Sequence, residues 1–336
     1  MKKILFIVPG IENSNSMPFI RVLQKNINTL NVECNAHFSR SSYNILKLFK
    51  NIREISKKLR EEDYDICVSQ FGGYSGISAI VASKIANVPV VVTFRGSDLN
   101  LPFFGLPVNQ YIKQLFSNFF SYISAFFADG CVFVSTKLRD RVFFPTNNVV
   151  IASGVDFKFF IEQNRFESRK QLGLSKDANI ALFFSGSNKA VKNRKLALRL
   201  KDFLDKNFPD IDFIIIDSFI SKIELRLWFS AGDCLVLLSK SEGCPTLIQE
   251  ACAMNLPIVS LDIGGVKEIL KNVSYHKIVS NDLEKIASAV VDITRRKKRS
   301  NGRSIIKNSY CAYSNAKKSI AFYQDVINIF KKDRDL

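Results

Sequence analysis

Two rhythms of apolar residues alternate along the chain. Short apolar runs at Ile4–Val8, 64–70, Val88–Phe94, 131–135, Ile180–Phe184, Ile211–Asp217, Asp233–Leu238 and Leu256–Leu261 show little polar alternation, as strands buried on both faces do. Between them apolar positions recur at helical spacing. Phe19, Val22, Leu23 and Ile27 follow Pro18; Ile45, Leu48, Phe49, Ile52, Ile55 and Leu59 stripe 43–60; Leu247, Ile248, Ala251 and Met254 follow Pro245. Strand and helix in strict alternation predict an α/β chain built on parallel sheets. The polar stretch 162–177 reads as a linker between two domains, and 313–330 as a closing helix. There is no internal repeat and no low-complexity segment.

Two helices have a second face worth weighing. The charge-free stretch 114–128 places Phe116, Phe119, Phe120, Ile123, Phe126 and Phe127 along one stripe. It reads as a helix packed on the sheet by that stripe, with a membrane-facing role as the alternative. Helix 43–60 sets Lys47, Lys50, Arg53, Lys57, Lys58 and Arg60 against its apolar face, which fits either a solvated basic face or an anionic membrane.

The stretch with the most legible chemistry runs from the strand at 233–238 to Leu270. Gly243 breaks the strand, Pro245 suits a first helical residue with its φ preset, and Asn255 suits a left-handed stop. Gly264-Gly265 then turns the next strand into Val266–Leu270. Glu242 falls in the loop before the helix and Glu250 more than a turn inside it. On one helix their spacing would set them roughly 80° apart at about 100° per residue. The helix start between them offers backbone N–H groups to an anion or a hydroxyl-rich ligand, and carboxylates accept well from vicinal hydroxyls. Spacing alone leaves open two solvated surface glutamates.

Composition narrows the classes. A length of 336 residues, 47% hydrophobic, allows about two domains with cores of their own. The net charge of +17 divides as +7 over residues 1–160 and +10 over the remainder, so neither half is a dedicated basic module. Such a surface suits nucleotide phosphates, an anionic bilayer or nucleic acid; no zinc spacing, recognition helix or aromatic RNA motif supports the last. The basic tract 295–299 reads as a solvated loop, with membrane phosphates second. Seven scattered cysteines, never in CxxC spacing, favour a reducing cytoplasm. The N-terminal apolar run is too short for a signal peptide and reads as a first strand. No segment has the length of a spanning helix. The loop after that strand has no GxGxxG, which argues against a dinucleotide-dependent dehydrogenase.

Residues 242–270, with Glu242 and Glu250 in a Glu-x7-Glu arrangement, resemble the signature of glycosyltransferase family 4. Fragments at Gly10, 69–98, 149–160 and 185–198 resemble it too. The resemblance implies the GT-B fold, an α/β architecture of two Rossmann-like domains whose parallel sheets face a cleft. Residues 1–158 would form the acceptor side, 159–314 the nucleotide-sugar domain, and 315–336 a helix returning to the first. It implies a retaining transfer without obligatory metal or cofactor, from a UDP- or GDP-linked sugar. Lys192, with Lys189, would offset the charge of the leaving diphosphate. Glu242 would hold the transferred sugar and Glu250 the ribose. Gly10, Gly186 and the backbone from Gly243 through Cys244, Pro245, Thr246 and Leu247 would line the donor. Two positions depart from the pattern: Arg95 stands where the family has a sugar-facing histidine, and Ser187 at the usual arginine. Arg95 could face the sugar, hold a phosphate or acidic acceptor, or pair with Asp98.

Charge and family habit together suggest a saccharide or lipid-linked saccharide acceptor. They also suggest a cytoplasmic enzyme of surface polysaccharide or glycolipid synthesis, peripheral on the inner membrane face. The rivals are a catalytically silent partner subunit of the same fold, a GT-B sugar-nucleotide epimerase, and a basic membrane- or nucleic-acid-binding protein.

Overall fold

A computed structural model describes residues 1–11, 17–39, 44–103, 106–186 and 188–334. The chain divides into two units, one of Met1–Gly154 with Ala312–Leu336, the other Val155–Cys311. The divisions fall a few residues before the sequence boundaries at 158 and 314.

The N-terminal unit alternates β1 (Lys3–Pro9), α1 (Pro18–Asn28), β2 (Glu33–Ser39), α2 (Ile45–Glu61), β3 (Ile66–Ser69), α3 (Gly73–Ala86), β4 (Val90–Phe94), α4 (Val108–Phe127), β5 (Gly130–Phe133), α5 (Thr136–Arg139) and β6 (Asn148–Val150). Its sheet has the order β2-β1-β3-β4-β5-β6, and the paired strands run parallel. The central strands are covered on both faces, so Ile4 to Ile7 and Val90 to Val92 are buried without alternation. The closing helix, here α13 (Ala312–Lys332), belongs to this unit. Ala316, Tyr323, Val326 and Ile327 join Ile4, Phe6, Ile20 and Ile27 in one core.

The helix α4 is turned the other way from its expected packing. Its buried residues are Asn118, Ser121, Ser124 and Ala125, while Phe116, Phe119, Phe126 and Phe127 are exposed. The reason lies in what it packs against. A Cβ on Gly72 would come 2.6 Å from Ser121 Oγ, and one on Gly76 would come 2.5 Å from Ser124 Oγ. That close approach admits only small residues on the inner face. Ser121 Oγ also accepts the Gly73 N–H at 2.7 Å, and Asn118 Nδ2 donates to the carbonyls of Asp98 and Asn100 at 2.9 and 3.1 Å. The inner stripe is polar because it satisfies backbone of neighbouring loops.

The C-terminal unit holds α6 (Arg165–Gln171), β7 (Asn179–Phe184), α7 (Arg194–Asn207), β8 (Ile211–Ile216), α8 (Lys222–Ala231), β9 (Cys234–Leu237), α9 (Thr246–Ala253), β10 (Ile258–Leu261), α10 (Val266–Leu270), β11 (His276–Val279), α11 (Leu283–Arg295) and α12 (Gly302–Tyr310). Its sheet order is β11-β10-β9-β7-β8, again parallel throughout. The stripe Leu196, Ala197, Leu200 and Leu204 of α7 packs with Ile286, Ala287 and Val290 of α11 over Ala181, Phe183 and Val236. Here helical spacing and burial agree.

Two polar stretches are more ordered than their composition suggests. The expected linker 162–177 contains α6, whose Arg169 is buried and donates to Asp233 Oδ2 and the Ala231 carbonyl, each at 2.9 Å. Asp233 Oδ2 accepts the Ile180 N–H as well, at 2.8 Å, so the segment is stitched to the sheet. The basic tract is likewise tied down. Arg295 pairs with Asp210 at 2.7 Å, Arg296 with Asp292 at 2.9 Å, and Arg299 Nη2 donates to the Ser230 carbonyl at 2.6 Å.

Candidate donor site

The order β11-β10-β9-β7-β8 contains a topological switch. From β7 the chain crosses to β8 at one edge, and from β9 it crosses to β10 on the other side, so the loops leaving β7 and β9 diverge from adjacent strands. In open parallel sheets ligands bind at the carboxyl ends of the strands at such a point. Both loops carry predicted residues. The loop after β7 holds Gly186, Lys189 and Lys192; the loop after β9 holds Glu242 to Pro245. Ser187 lies outside the described residues.

The structure brings the two loops together. Lys192 Nζ donates to Glu242 Oε1 at 2.6 Å, with both side chains partly exposed. Lys240 N–H donates to the Val191 carbonyl at 2.8 Å, a backbone stitch alongside the ion pair. The turn after β10 closes the other flank: Gly265 N–H donates to the Gly243 carbonyl at 2.8 Å. Gly264 has φ +50°, and a Cβ there would lie 2.6 Å from the Glu242 and Gly243 carbonyl oxygens. Only glycine fits, and the loop bearing Glu242 rests on it.

Pro245 caps α9 and is not its first helical residue, with φ −64° and ψ 113°. It has no side chain able to accept from the next turn, so the N–H groups at Thr246 and Leu247 face outward from the helix start without a side-chain cap. Asn255, at φ 52°, is the left-handed stop that the sequence predicts. Burial pushes the Cys244 thiol pKa up, and Gln249 Nε2 donates to its sulfur at 3.2 Å, so this cysteine packs and is no thiolate nucleophile.

Glu250 is buried in α9, and its carboxylate receives Lys222 Nζ at 2.5 Å from the start of α8. Burial raises its pKa, with the charges of Lys222 and Lys192 pulling the other way. The charge of Lys192, paired with Glu242, thus acts on Glu250 as well. Lys222 also lies 5.7 Å from the Phe160 ring centroid. Sequence reasoning passed over Lys222, and a signal existed: a cation in the first turn opposes the helix dipole and needs a reason to be there. Arg194 was passed over too. It clasps Asp217 through Nε at 2.8 and 2.7 Å, and this guanidinium, aided by Ser185 Oγ at 2.6 Å, holds the Asp217 pKa down at about 2. Lys189 is exposed and its charge acts on Asp217 as well.

Gly10 and Arg95 belong to the N-terminal unit. Gly10 follows β1 and donates its N–H to the Ser39 carbonyl at 2.9 Å. Arg95 turns into its own unit: Nη2 donates to Gln70 Oε1, Nη1 to Ser153 Oγ at 3.0 Å, and the guanidinium lies 4.8 Å from the Phe19 ring. Burial lowers its pKa to about 10. Its link to Asp98 runs through the backbone, the Arg95 N–H donating to that carboxylate at 3.1 Å. Asp98 also accepts from Gly96 at 2.8 Å and Gly72 at 3.3 Å. The cysteines are free thiols, and among the described residues no group of three or more His, Cys, Asp or Glu could hold a metal ion. No described helix is long and apolar enough to cross a membrane.

Comparison with known proteins matches both units. The profile described as Glycosyltransferase Family 4 covers residues 21–159, and that of Glycosyl transferases group 1 covers 174–296. TuaC of Bacillus subtilis, a glycosyltransferase assigned to teichuronic acid biosynthesis, is 26% identical over 70% of this chain and 63% of its own length. An uncharacterised glycosyltransferase of Methanocaldococcus jannaschii is 26% identical over 73% of this chain and 68% of its own. In fold, sucrose-phosphate synthase from Thermosynechococcus elongatus superposes with a TM-score of 0.77 at 15% identity, covering 98% of this chain and 100% of that one. Anabaena HepE, solved with UDP and glucose, gives 0.71 at 12% identity over 96% and 99%.

Proposed function

The chain belongs to glycosyltransferase family 4, the group 1 glycosyl transferases, and on that premise we propose that it moves a sugar from a UDP- or GDP-linked donor to a saccharide or lipid-linked saccharide acceptor. One observation carries the reading. Lys192 and Glu242, from loops that leave adjacent strands of the C-terminal sheet, meet at its switch point beside the start of α9, which no side chain caps, with Glu250 and Lys222 paired in the same unit.

In this reading the paired charges change partners when the donor binds. A donor diphosphate takes Lys192 from Glu242, and Glu242 turns to hydroxyls of the sugar. The pair is partly exposed, and the exchange leaves neither charge without a partner, so its cost is small. The N–H groups at Thr246 and Leu247 and the backbone at Gly243 and Cys244 add donors for the phosphates. Gly186 leaves room for close approach, with nothing within 4 Å of its Cβ position. Lys189 adds positive charge. Glu250 accepts the ribose hydroxyls, its ionised form favoured by Lys222.

As the bond to the leaving diphosphate breaks, negative charge grows where Lys192 stands, the place where fixed positive charge lowers a barrier most. No side chain is assigned as nucleophile. Retention of anomeric configuration, independence from metal, an acceptor in bacterial surface polysaccharide or glycolipid synthesis, and a part for Gly10 and Arg95 follow the family resemblance. The relative assigned to teichuronic acid biosynthesis supports that acceptor class.

The test is calorimetric titration with UDP, GDP and their sugars, then turnover of the donor that binds. Binding that Glu250→Ala weakens, and turnover that Lys192→Ala removes in the presence of EDTA, are expected. Binding untouched by both substitutions would sink the site. Binding without any transfer or hydrolysis would favour a silent homologue, a reading to which the inward-turned Arg95 lends support.

A further inference from the structure

In the N-terminal unit α2 and α4 flank α3, and the three run the same way. Near the start of α3, Tyr74 Oη donates to the Asn44 carbonyl at the cap of α2, and a Cβ on Gly73 would meet Ser117 Oγ of α4 at 2.8 Å. Near its end, Arg60 of α2 donates to the Ile85 carbonyl, and Lys84 Nζ lies 4.9 Å from the Phe127 ring of α4. One layer of parallel helices thus covers this side of the sheet.

Its outer surface is apolar over a long distance. On α4, Val108, Ile112, Leu115, Phe119 and Phe126 follow one another at helical spacing and are all exposed, Val108 at 74% and Phe126 at 63%. The helix has 20 residues, about 30 Å at about 1.5 Å each. At its far end Phe143, 86% exposed, stacks edge-on with Phe144, which packs on Phe126 in turn. The first turns of α2 add Ile45, Leu46 and Phe49, also exposed.

The inner side of α4 is occupied by Asn118, Ser121 and Ser124, so this face is no core surface that a small rotation would bury. The charge around it has one dominant sign. Across α2, α3 and α4 there are eight Lys and Arg residues against two glutamates, and both glutamates are on α2, paired with Lys50 and Lys57. Neither α3 nor α4 contains an acidic residue.

We propose that this α2–α4 face is the surface by which the protein docks on an anionic lipid bilayer. The aromatic ridge of α4 enters the interface, and Lys47, Lys84 and Lys113 meet the phosphates. An amphipathic helix with aromatic residues on one side and flanking lysines binds in the plane of an interface without spanning it. The excess positive charge selects acidic headgroups over neutral ones. A second copy of this chain would bring like charges together along the same predominantly basic rim, whereas an anionic bilayer meets the apolar ridge and the lysines at once. The proposal is independent of the donor reading, because partition onto vesicles needs no nucleotide.

Flotation with vesicles tests it. The full chain is mixed with phosphatidylcholine vesicles with or without phosphatidylglycerol, at low and high salt. Wild type is expected to float with the acidic vesicles and to remain behind with the neutral ones. Phe116→Ser, Phe119→Ser and Phe126→Ser should each lower partition about tenfold, the effect of withdrawing most of a phenyl ring from apolar surroundings. Lys47→Glu and Lys84→Glu should each lower it about fivefold at low salt and hardly at all at high salt. All five positions are exposed, so melting curves should match wild type. Equal partition of wild type and the triple serine variant overturns the proposal, as does equal partition onto both vesicle types. A wild-type dimer by light scattering that the serine variant splits, without vesicle binding, assigns the face to a second copy instead.

Discussion

Each unit places a carboxylate in the loop after a parallel strand, and the two carboxylates behave differently. Glu242, after β9, keeps its side chain partly exposed and meets the side chain of Lys192 from another loop. Asp98, after β4, is buried, and the N–H groups of Arg95, Gly96 and Gly72 all point at it. Burial raises the Asp98 pKa while those N–H groups act against the rise. A ligand can replace a side-chain partner at small cost. It cannot replace three backbone donors without unmaking the loop. Identical chemistry thus leaves Glu242 open to a change of partner in one unit and builds the loop in the other, and Arg95, bound by Gln70 and Ser153, sides with architecture.

Four substitutions put that contrast at risk. Lys192→Ala should lower turnover by roughly a hundred- to a thousandfold, the scale of losing one preorganised charge at a developing anion, with an unchanged urea midpoint. A large stability loss instead would make Lys192 a structural residue like Asp98. Asp98→Ala should do the reverse, costing about 3 kcal/mol in urea unfolding as buried N–H groups lose a charged acceptor, with nucleotide affinity intact; weakened affinity would erase the distinction. Gly264→Ala sharpens the question of what holds Glu242. The positive φ and the two carbonyl oxygens in the way should cost about 2 kcal/mol, and nucleotide affinity should fall with it because the loop moves.

The smallest effect concerns Glu250. Burial raises its folded-state pKa above the unfolded value, so ionising it costs stability that is lost as pH rises through that window. A ribose that donates to the carboxylate has the opposite preference. Nucleotide affinity should therefore weaken as pH falls through the raised Glu250 range, at a pH above that of an ordinary carboxylate. Glu250→Gln should bind about tenfold less tightly, the value of one charge-assisted hydrogen bond, and show no such fall. Titration calorimetry across pH reads both, and a parallel pH dependence in the variant would assign the effect elsewhere.

Among helices, α7 and α4 mark what periodicity could and could not tell. In α7 the apolar stripe of Leu196, Leu200 and Leu204 is the packed stripe. In α4 an equally regular stripe of phenylalanines faces out, and the inner face could be found only from its neighbours, Gly72 at the cap of α3, Gly76 within it, and the carbonyls of the 95–100 loop. Periodicity shows that a helix has two faces; it does not say which one is wet. The linker reading of 162–177 failed in the same way, because Arg169 finds Asp233 only when a distant strand arrives beside it.

By itself the sequence determined the local events: strands buried on both faces, a helix start within one residue of Pro245, the left-handed stop at Asn255, the turn at Gly264, and two glutamates at one loop and helix. Each depends on neighbours within a few residues, where backbone sterics and hydrogen bonding act directly. Tertiary structure decided which charges meet. Lys192 and Glu242 are fifty residues apart, and Lys222 and Glu250 twenty-eight. Only the parallel crossovers of the sheet bring them within hydrogen-bond reach, because a side chain spans a few ångströms and the fold supplies the rest.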